Sequence, residues 1–139
     1  MLKKFNMSGK FLIANMMSAL YNKKYFFDTP VVVEYSKICK EILDKMLKGG
    51  YIKKYDVVEE GGKKSINVML RTINGAKVIN SIKLFSKPCR RLYMDVLSMK
   101  KMMMRNGYSL ILLSTSKGVL TISEAIQNNV GGEIICEIF

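Results

Sequence analysis

Apolar residues recur along this chain with two different periods. Between Ser8 and Asn22, Phe11, Ile13, Met16, Met17 and Leu20 follow a helical spacing, with Ser8 placed to cap the first turn. Pro30 interrupts, and Val31–Val33 read as a short buried strand. Ser36 is placed to cap a second helix over about 36–48, with Ile38, Ile42, Leu43, Met46 and Leu47 on one face. Lys37, Glu41, Lys45 and Lys48 take the other face, where Glu41 and Lys45 form an i,i+4 pair of opposite charge. Gly49-Gly50 then ends the helix.

Beyond Gly50 the spacing is that of strands. Tyr51–Val58 and Ser65–Arg71 flank a glycine turn, Glu59-Glu60-Gly61-Gly62-Lys63-Lys64. Asn74-Gly75 is a hairpin signal leading into a strand over Lys77–Phe85. Asp95–Asn106 fits a third helix with Val96, Met99 and Met103 inward, and the Met102-Met103-Met104 run reads as helix core. Tyr108–Leu113 is a continuous apolar run of strand length. Ser114–Gly118 breaks it, Val119–Thr121 resumes it, Ser123 is placed to cap one helical turn, and Glu133–Phe139 reads as a last strand. The order predicts an α+β fold with mainly antiparallel pairing. Two small lobes are expected to meet near residues 72–76: an N-terminal helix-strand-helix-strand-strand lobe, 1–74, and a C-terminal lobe, 75–139, mostly antiparallel β with short helices.

Composition narrows what such a fold is for. In 139 residues, 49% of them apolar, 23 Lys and Arg stand against 11 Asp and Glu, a net charge of +12 that favours a polyanionic partner. The charge is uneven: no Lys or Arg follows Lys117, so the last 21 residues are expected to face core or protein. Cys39, Cys89 and Cys136 are odd in number and far apart, and His is absent. Zinc sites and disulfide frameworks find no support, and the cysteines read as small buried hydrophobes in a reduced compartment. Without His, and without paired carboxylates beside a candidate base, no catalytic constellation emerges, and no cofactor or small-molecule substrate is expected. No apolar run approaches the length of a membrane span. Lys outnumbers Arg 19 to 4, Trp is missing and Met reaches 11, a usage suggesting A/T-biased coding in an organellar genome or an A/T-rich organism.

Two segments carry candidate chemistry. Ser114-Thr115-Ser116-Lys117-Gly118 puts three hydroxyls together at the end of a buried strand. Hydroxyls both donate and accept, which suits ribose 2′-hydroxyls and base edges in the shallow RNA minor groove. Lys117 can meet a phosphate, and Gly118 allows close backbone approach. Spacing alone favours a plainer reading, a polar turn whose hydroxyls satisfy its own backbone. Ser86-Lys87-Pro88-Cys89-Arg90-Arg91-Leu92-Tyr93 gathers three cations and an aromatic. Arg90 and Arg91 point to opposite faces of an extended segment, and Tyr93 can stack on an unpaired base; a charged edge strand is the alternative. The pairs Lys23-Lys24, Lys53-Lys54, Lys63-Lys64 and Lys100-Lys101 read as solubilising surface that also attracts RNA.

Leu112-Leu113-Ser114-Thr115-Ser116-Lys117-Gly118-Val119-Leu120-Thr121, followed by Glu124-Ala125 and Val130-Gly131-Gly132-Glu133-Ile134-Ile135-Cys136, resembles the small-subunit ribosomal protein eight family of bacterial and organellar type. Upstream, Ser86-Lys87-Pro88 with Arg91 and Tyr93 resembles that family's Ser-Arg/Lys-Pro-Gly-x-Arg-x-Tyr, and Leu43–Tyr55 its helix-to-strand junction. The resemblance covers most of the chain from about residue 12 and shifts the hydroxyl loop from plain turn to RNA contact. It implies primary binding to the central domain of small-subunit ribosomal RNA through the C-terminal lobe, with neighbouring small-subunit proteins as further partners and no membrane. Ser114, Thr115, Ser116, Lys117 and Gly118 are implied as the recognition loop, with Tyr93, Lys87 and Arg91 nearby. A messenger-RNA-binding translational regulator is the alternative. The implied location is the ribosome, mitochondrial on coding bias, with another organelle or a bacterial cytoplasm as alternatives. The sequence departs from the family at Cys89, where glycine is usual, and at Ala19-Leu20-Tyr21-Asn22, where Arg-x-Arg-Asn is usual. It also carries extra residues near Pro30–Glu34 and between Tyr93 and Gly107.

Overall fold

In the computed structural model, which describes residues 2–23, 29–85, 90–106 and 109–139, the two spacings become two packing arrangements. Helix α1 runs over Leu2–Asn22, so Ser8 lies inside it instead of capping it. Residues 2–7 contain neither Gly nor Pro, and serine within a helix costs only a few tenths of a kcal/mol, roughly, so nothing stops the helix at Ser8. Ile13, Met16, Met17 and Leu20 form its buried stripe. Strand β1 (Val31–Glu34) and helix α2 (Lys37–Lys48) follow, with Cys39, Ile42, Leu43 and Met46 buried. Ser36 occupies the N-cap with an extended backbone but makes no side-chain capping bond. Gly50 takes φ +80°, and a Cβ there would lie 2.8 Å from Arg71 Nη1.

Strands β2 (Ile52–Glu60) and β3 (Lys63–Leu70) are joined by two residues rather than six. Gly61 and Gly62 both have positive φ, as the tight hairpin turn requires. The expected loop residues therefore pair across the ladder, Glu59 with Lys64 and Glu60 with Lys63, opposite charges facing each other. The sheet order is β1-β3-β2, fully antiparallel. Its Val33, Ile52, Ile66, Val68 and Leu70 are buried, and α1 packs on β1 and α2 while α2 packs on β2.

Asn74 and Gly75, both at positive φ, close a short hairpin of β4 (Thr72–Ile73) and β5 (Ala76–Lys77). The expected strand over Lys77–Phe85 is not continuous: β5 ends at Lys77, and β6 covers only Ile82–Leu84. Between them Val78 N–H bonds the Arg71 carbonyl (2.9 Å) and Ile79 turns inward, which takes the backbone off the strand path. The fold divides into two compact units, Met1–Asn80 and Ser81–Phe139.

The second unit adds β7 (Tyr93–Met94), α3 (Val96–Asn106), β8 (Leu110–Thr115), β9 (Gly118–Thr121), α4 (Ile122–Gln127) and β10 (Gly132–Ile138). The C-terminal strand β10 is central, in the order β6-β10-β8-β9, and β7 pairs with its first residues. Every pairing is antiparallel. Ile111, Leu113 and Ile134 on one face join Met99, Ile122 and Ala125 in a single core. Leu112 and Cys136, an opposed pair, are fully buried on the other face, which is why this segment reads as unbroken apolar sequence. A register shift between Ile134 and Cys136 marks a bulge in β10.

Three local expectations are corrected here. Helix α4 is capped by Thr121, not Ser123: the Thr121 side chain accepts from Glu124 N–H and the Glu124 side chain from Thr121 N–H, a complete capping box. Met103 is not inward but 44% exposed, and Met104 is 87% exposed, so only Met102 of that run packs on the core. Three consecutive residues span most of a helical turn, so they cannot all face one side. The α+β class and the N-terminal helix-strand-helix-strand-strand order are as the sequence predicts.

Candidate nucleic-acid interface

The hydroxyl segment is the tip of a hairpin. Strand β8 continues through Thr115, which pairs with Gly118, leaving Ser116 and Lys117 as the turn. Gly118 has φ +97°, a conformation costly for any residue with a Cβ, so glycine at the turn's exit is a backbone requirement. The plainer reading holds for one hydroxyl of the three. The Thr115 hydroxyl donates to the Gly118 carbonyl (2.8 Å) and accepts from the Lys117 N–H (3.1 Å), fixing the turn. Among the described residues, Ser114 and Ser116 have no side-chain hydrogen-bond partner and keep full capacity to donate and accept. Lys117 is exposed.

The register brings Tyr93 to the same place. Glu133 of β10 lies opposite Ser114 on one side and Tyr93 on the other, so Tyr93, Glu133 and Ser114 form one cross-strand row with side chains on one face. Tyr93 is 69% exposed, whereas Glu133 is 7% exposed. Around them is a cleft of about 720 Å³ lined by Tyr93, Met94, Asp95 and Ser98 on one side and Ser114, Thr115 and Ser116 on the other. Gly131, Gly132 and Glu133 form its floor.

Two glycines make that floor possible. A Cβ on Gly132 would fall 2.5 Å from the Ser114 carbonyl oxygen and 2.8 Å from Thr115 Cγ2. A Cβ on Gly131 would fall 2.9 Å from the Met94 carbonyl oxygen. Both neighbours are mainly backbone and cannot move aside cheaply. Asp95 caps α3, accepting from Ser98 N–H (2.9 Å), and hydrogen bonds from the Ser98 side chain and backbone hold its carboxyl below the usual range. The cleft thus presents the Ser114 and Ser116 hydroxyls and the Tyr93 ring, groups able to meet base edges or riboses, beside two carboxyl groups that disfavour phosphate: Asp95, engaged by Ser98, and Glu133, which is nearly buried. Cations stand outside it: Lys117 on the turn and the exposed Arg91 just before β7 are not part of the lining. Lys87 and Cys89 lie outside the described residues.

Sequence reasoning missed Asp95, Ser98, Gly131, Gly132 and Glu133 as site residues. Asp95 carried a findable signal, an acidic residue three before Ser98 at a helix start. Gly131 and Gly132 are needed only because two other strands press on them, which no local pattern reveals. Among the described residues no group of three His, Cys, Asp or Glu could hold a metal ion, and no helix is long and apolar enough to cross a membrane. Cys39 and Cys136 are free and buried.

Comparison with known proteins adds an independent line. The family model described as Ribosomal protein S8 matches residues 12–139. A small ribosomal subunit protein uS8 from a Nitratiruptor species is 41% identical over 132 residues, covering 92% of this chain and 97% of the relative. The protein of the same name from Nautilia profundicola is 44% identical over 108 residues, 77% of this chain and 81% of its own length. That from Rhizobium etli (strain CIAT 652) is 37% identical over 128 residues, 91% and 96% respectively.

Proposed function

The chain belongs to the ribosomal protein S8 family, and from that membership we propose that it is a structural constituent of the small ribosomal subunit, binding the central domain of its RNA and supporting subunit assembly and translation. The observation that carries the RNA reading is the cleft beside the β8–β9 turn. There the free hydroxyls of Ser114 and Ser116 lie next to the exposed ring of Tyr93. In this reading Ser114 and Ser116 contact ribose hydroxyls and base edges, Tyr93 stacks or hydrogen-bonds beside them, and Thr115 and Gly118 hold the turn in shape. Lys117 and Arg91 meet flanking phosphates, and Lys87 is assigned the same part from its place in the sequence. Neighbouring small-subunit proteins are the remaining partners, and no catalytic step is assigned. The A/T-biased residue usage supports a mitochondrial ribosome, with another organelle or a bacterial cytoplasm as alternatives; the relatives described above are bacterial.

Sedimentation tests the placement. The chain should track the small subunit at one copy per particle and stay bound through moderate salt. A translational regulator acting on messenger RNA would instead sediment mostly apart from subunits and at non-stoichiometric amounts, and that result would overturn the proposal.

A further inference from the structure

We propose that the outward face of α3 is a docking ridge for an acidic, amphipathic segment of a neighbouring protein, an inference that rests on the ribosomal placement above. Helix α3 turns Met99 fully inward, with Met102 packed beside it. The opposite face of such a helix is normally its most polar. Here Leu97 and Met104 stand at its centre, seven residues apart and so within about 20° of each other around the axis. Leu97 is 63% exposed and Met104 87%; Met103, about 100° from Met104 around the axis and beyond Lys100, is 44% exposed.

Lys100 and Lys101, both exposed, flank the ridge on either side, and exposed Arg105 lies beyond Lys101. No acidic residue lies within the helix, and the Asp95 carboxyl that caps it is turned to Ser98. Single exposed apolar side chains are ordinary, but two turns of them on the face farthest from the core are not scatter. Methionine's flexible thioether adapts to a partner's surface, and the basic rim selects an acidic one. A second copy of this chain would bring its own basic rim and another +12 of charge. RNA would engage the lysines yet leave Leu97 and Met104 facing a charged backbone. The ridge is far smaller than the roughly 800 Å² per partner of a free-standing complex, so it holds a partner only within an assembly already joined by other contacts.

The test uses the full chain carrying a photoreactive benzophenone side chain in place of Met103, assembled into purified small subunits. The expected product is a crosslink to one ribosomal protein, at a peptide alternating apolar residues with Asp or Glu. Adding L97E and M104E should cut that crosslink by about tenfold, as removal of a central anchor does, with the chain's amount in the particle unchanged. Circular dichroism should be unaltered, since all three positions are exposed. A crosslink to RNA, to a second copy, to lipid or to a peptide without acidic residues would overturn the docking ridge alone, as would no crosslink. Absence of the chain from the subunit would overturn the ribosomal placement and the ridge with it.

Discussion

At the scale of single residues, the site divides hydroxyls by task. Thr115 spends its hydroxyl on Gly118 and Lys117, so its role is to shape the turn, while among the described residues Ser114 and Ser116 keep theirs uncommitted. Thr115→Ala should therefore speed hydrogen exchange at the Lys117 amide, and Thr115→Ser, which keeps the oxygen, should restore protection; equal exchange in both variants would contradict the assignment. The buried thiols make a separate prediction. Burial pushes Cys136 from the usual 9.0 up to about 12 and is the main cause raising Cys39 to about 11. The folded chain thus retains protons that the unfolded chain releases. This contribution to stability is fully present below about pH 9 and is lost as pH rises through 11 and 12. The unfolding midpoint should fall over that interval, and the fall should be shallower for C39A/C136A than for the parent chain. None of the sequence patterns distinguishes Thr115 from its serine neighbours, because the division depends on where the chain returns at Gly118.

Elements were legible in the sequence wherever one local pattern decided them. The α2 stripe at Ile42, Leu43 and Met46, the Gly61-Gly62 and Asn74-Gly75 turns and the apolar β8 each follow from spacing or from the need for positive φ, although Leu47, expected on the α2 stripe, is 40% exposed and Cys39 is buried in its stead. Boundaries set by competition were not legible. Ser8 and Ser123 are good caps by type, yet α1 begins at Leu2 because nothing upstream breaks it. Likewise α4 begins at Thr121's box because Glu124 completes the reciprocal bond. The Lys77–Phe85 run is broken as a strand where Val78 N–H bonds the Arg71 carbonyl and Ile79 is buried. The capping assignment has a direct test. Thr121→Ala should lower unfolding free energy by about 1 kcal/mol, whereas Ser123→Ala should stay within roughly 0.5 kcal/mol of the parent. Equal losses in urea denaturation would contradict it.

At the scale of the whole molecule, positive charge and the hydroxyl cleft have different seats. Residues 1–80 hold 15 Lys and Arg against 7 Asp and Glu, a net +8, while residues 81–139 hold 8 against 4, a net +4. The larger share of charge is thus in the unit without the hydroxyl cleft, and the cleft itself is lined by acidic and neutral groups. The positive balance was legible from composition; the row of Tyr93, Glu133 and Ser114 was not, because it exists only through the register of three strands. For about five phosphate contacts, log affinity for RNA should fall with log salt at a slope of roughly −4, and Lys117→Ala should make it shallower by about one. The central claim, that this cleft reads RNA rather than merely sitting near it, is tested most directly with the S114A/S116A variant, which leaves Thr115 to hold the turn. Its affinities for central-domain small-subunit RNA and for an unrelated RNA of equal length should be measured at one salt concentration. At about 1 kcal/mol per neutral hydrogen bond, cognate binding should weaken by roughly 2 kcal/mol, near thirtyfold, and unrelated binding by far less, since the phosphate contacts remain. Equal losses on both RNAs, or no loss on either with the protein still folded, would contradict the account.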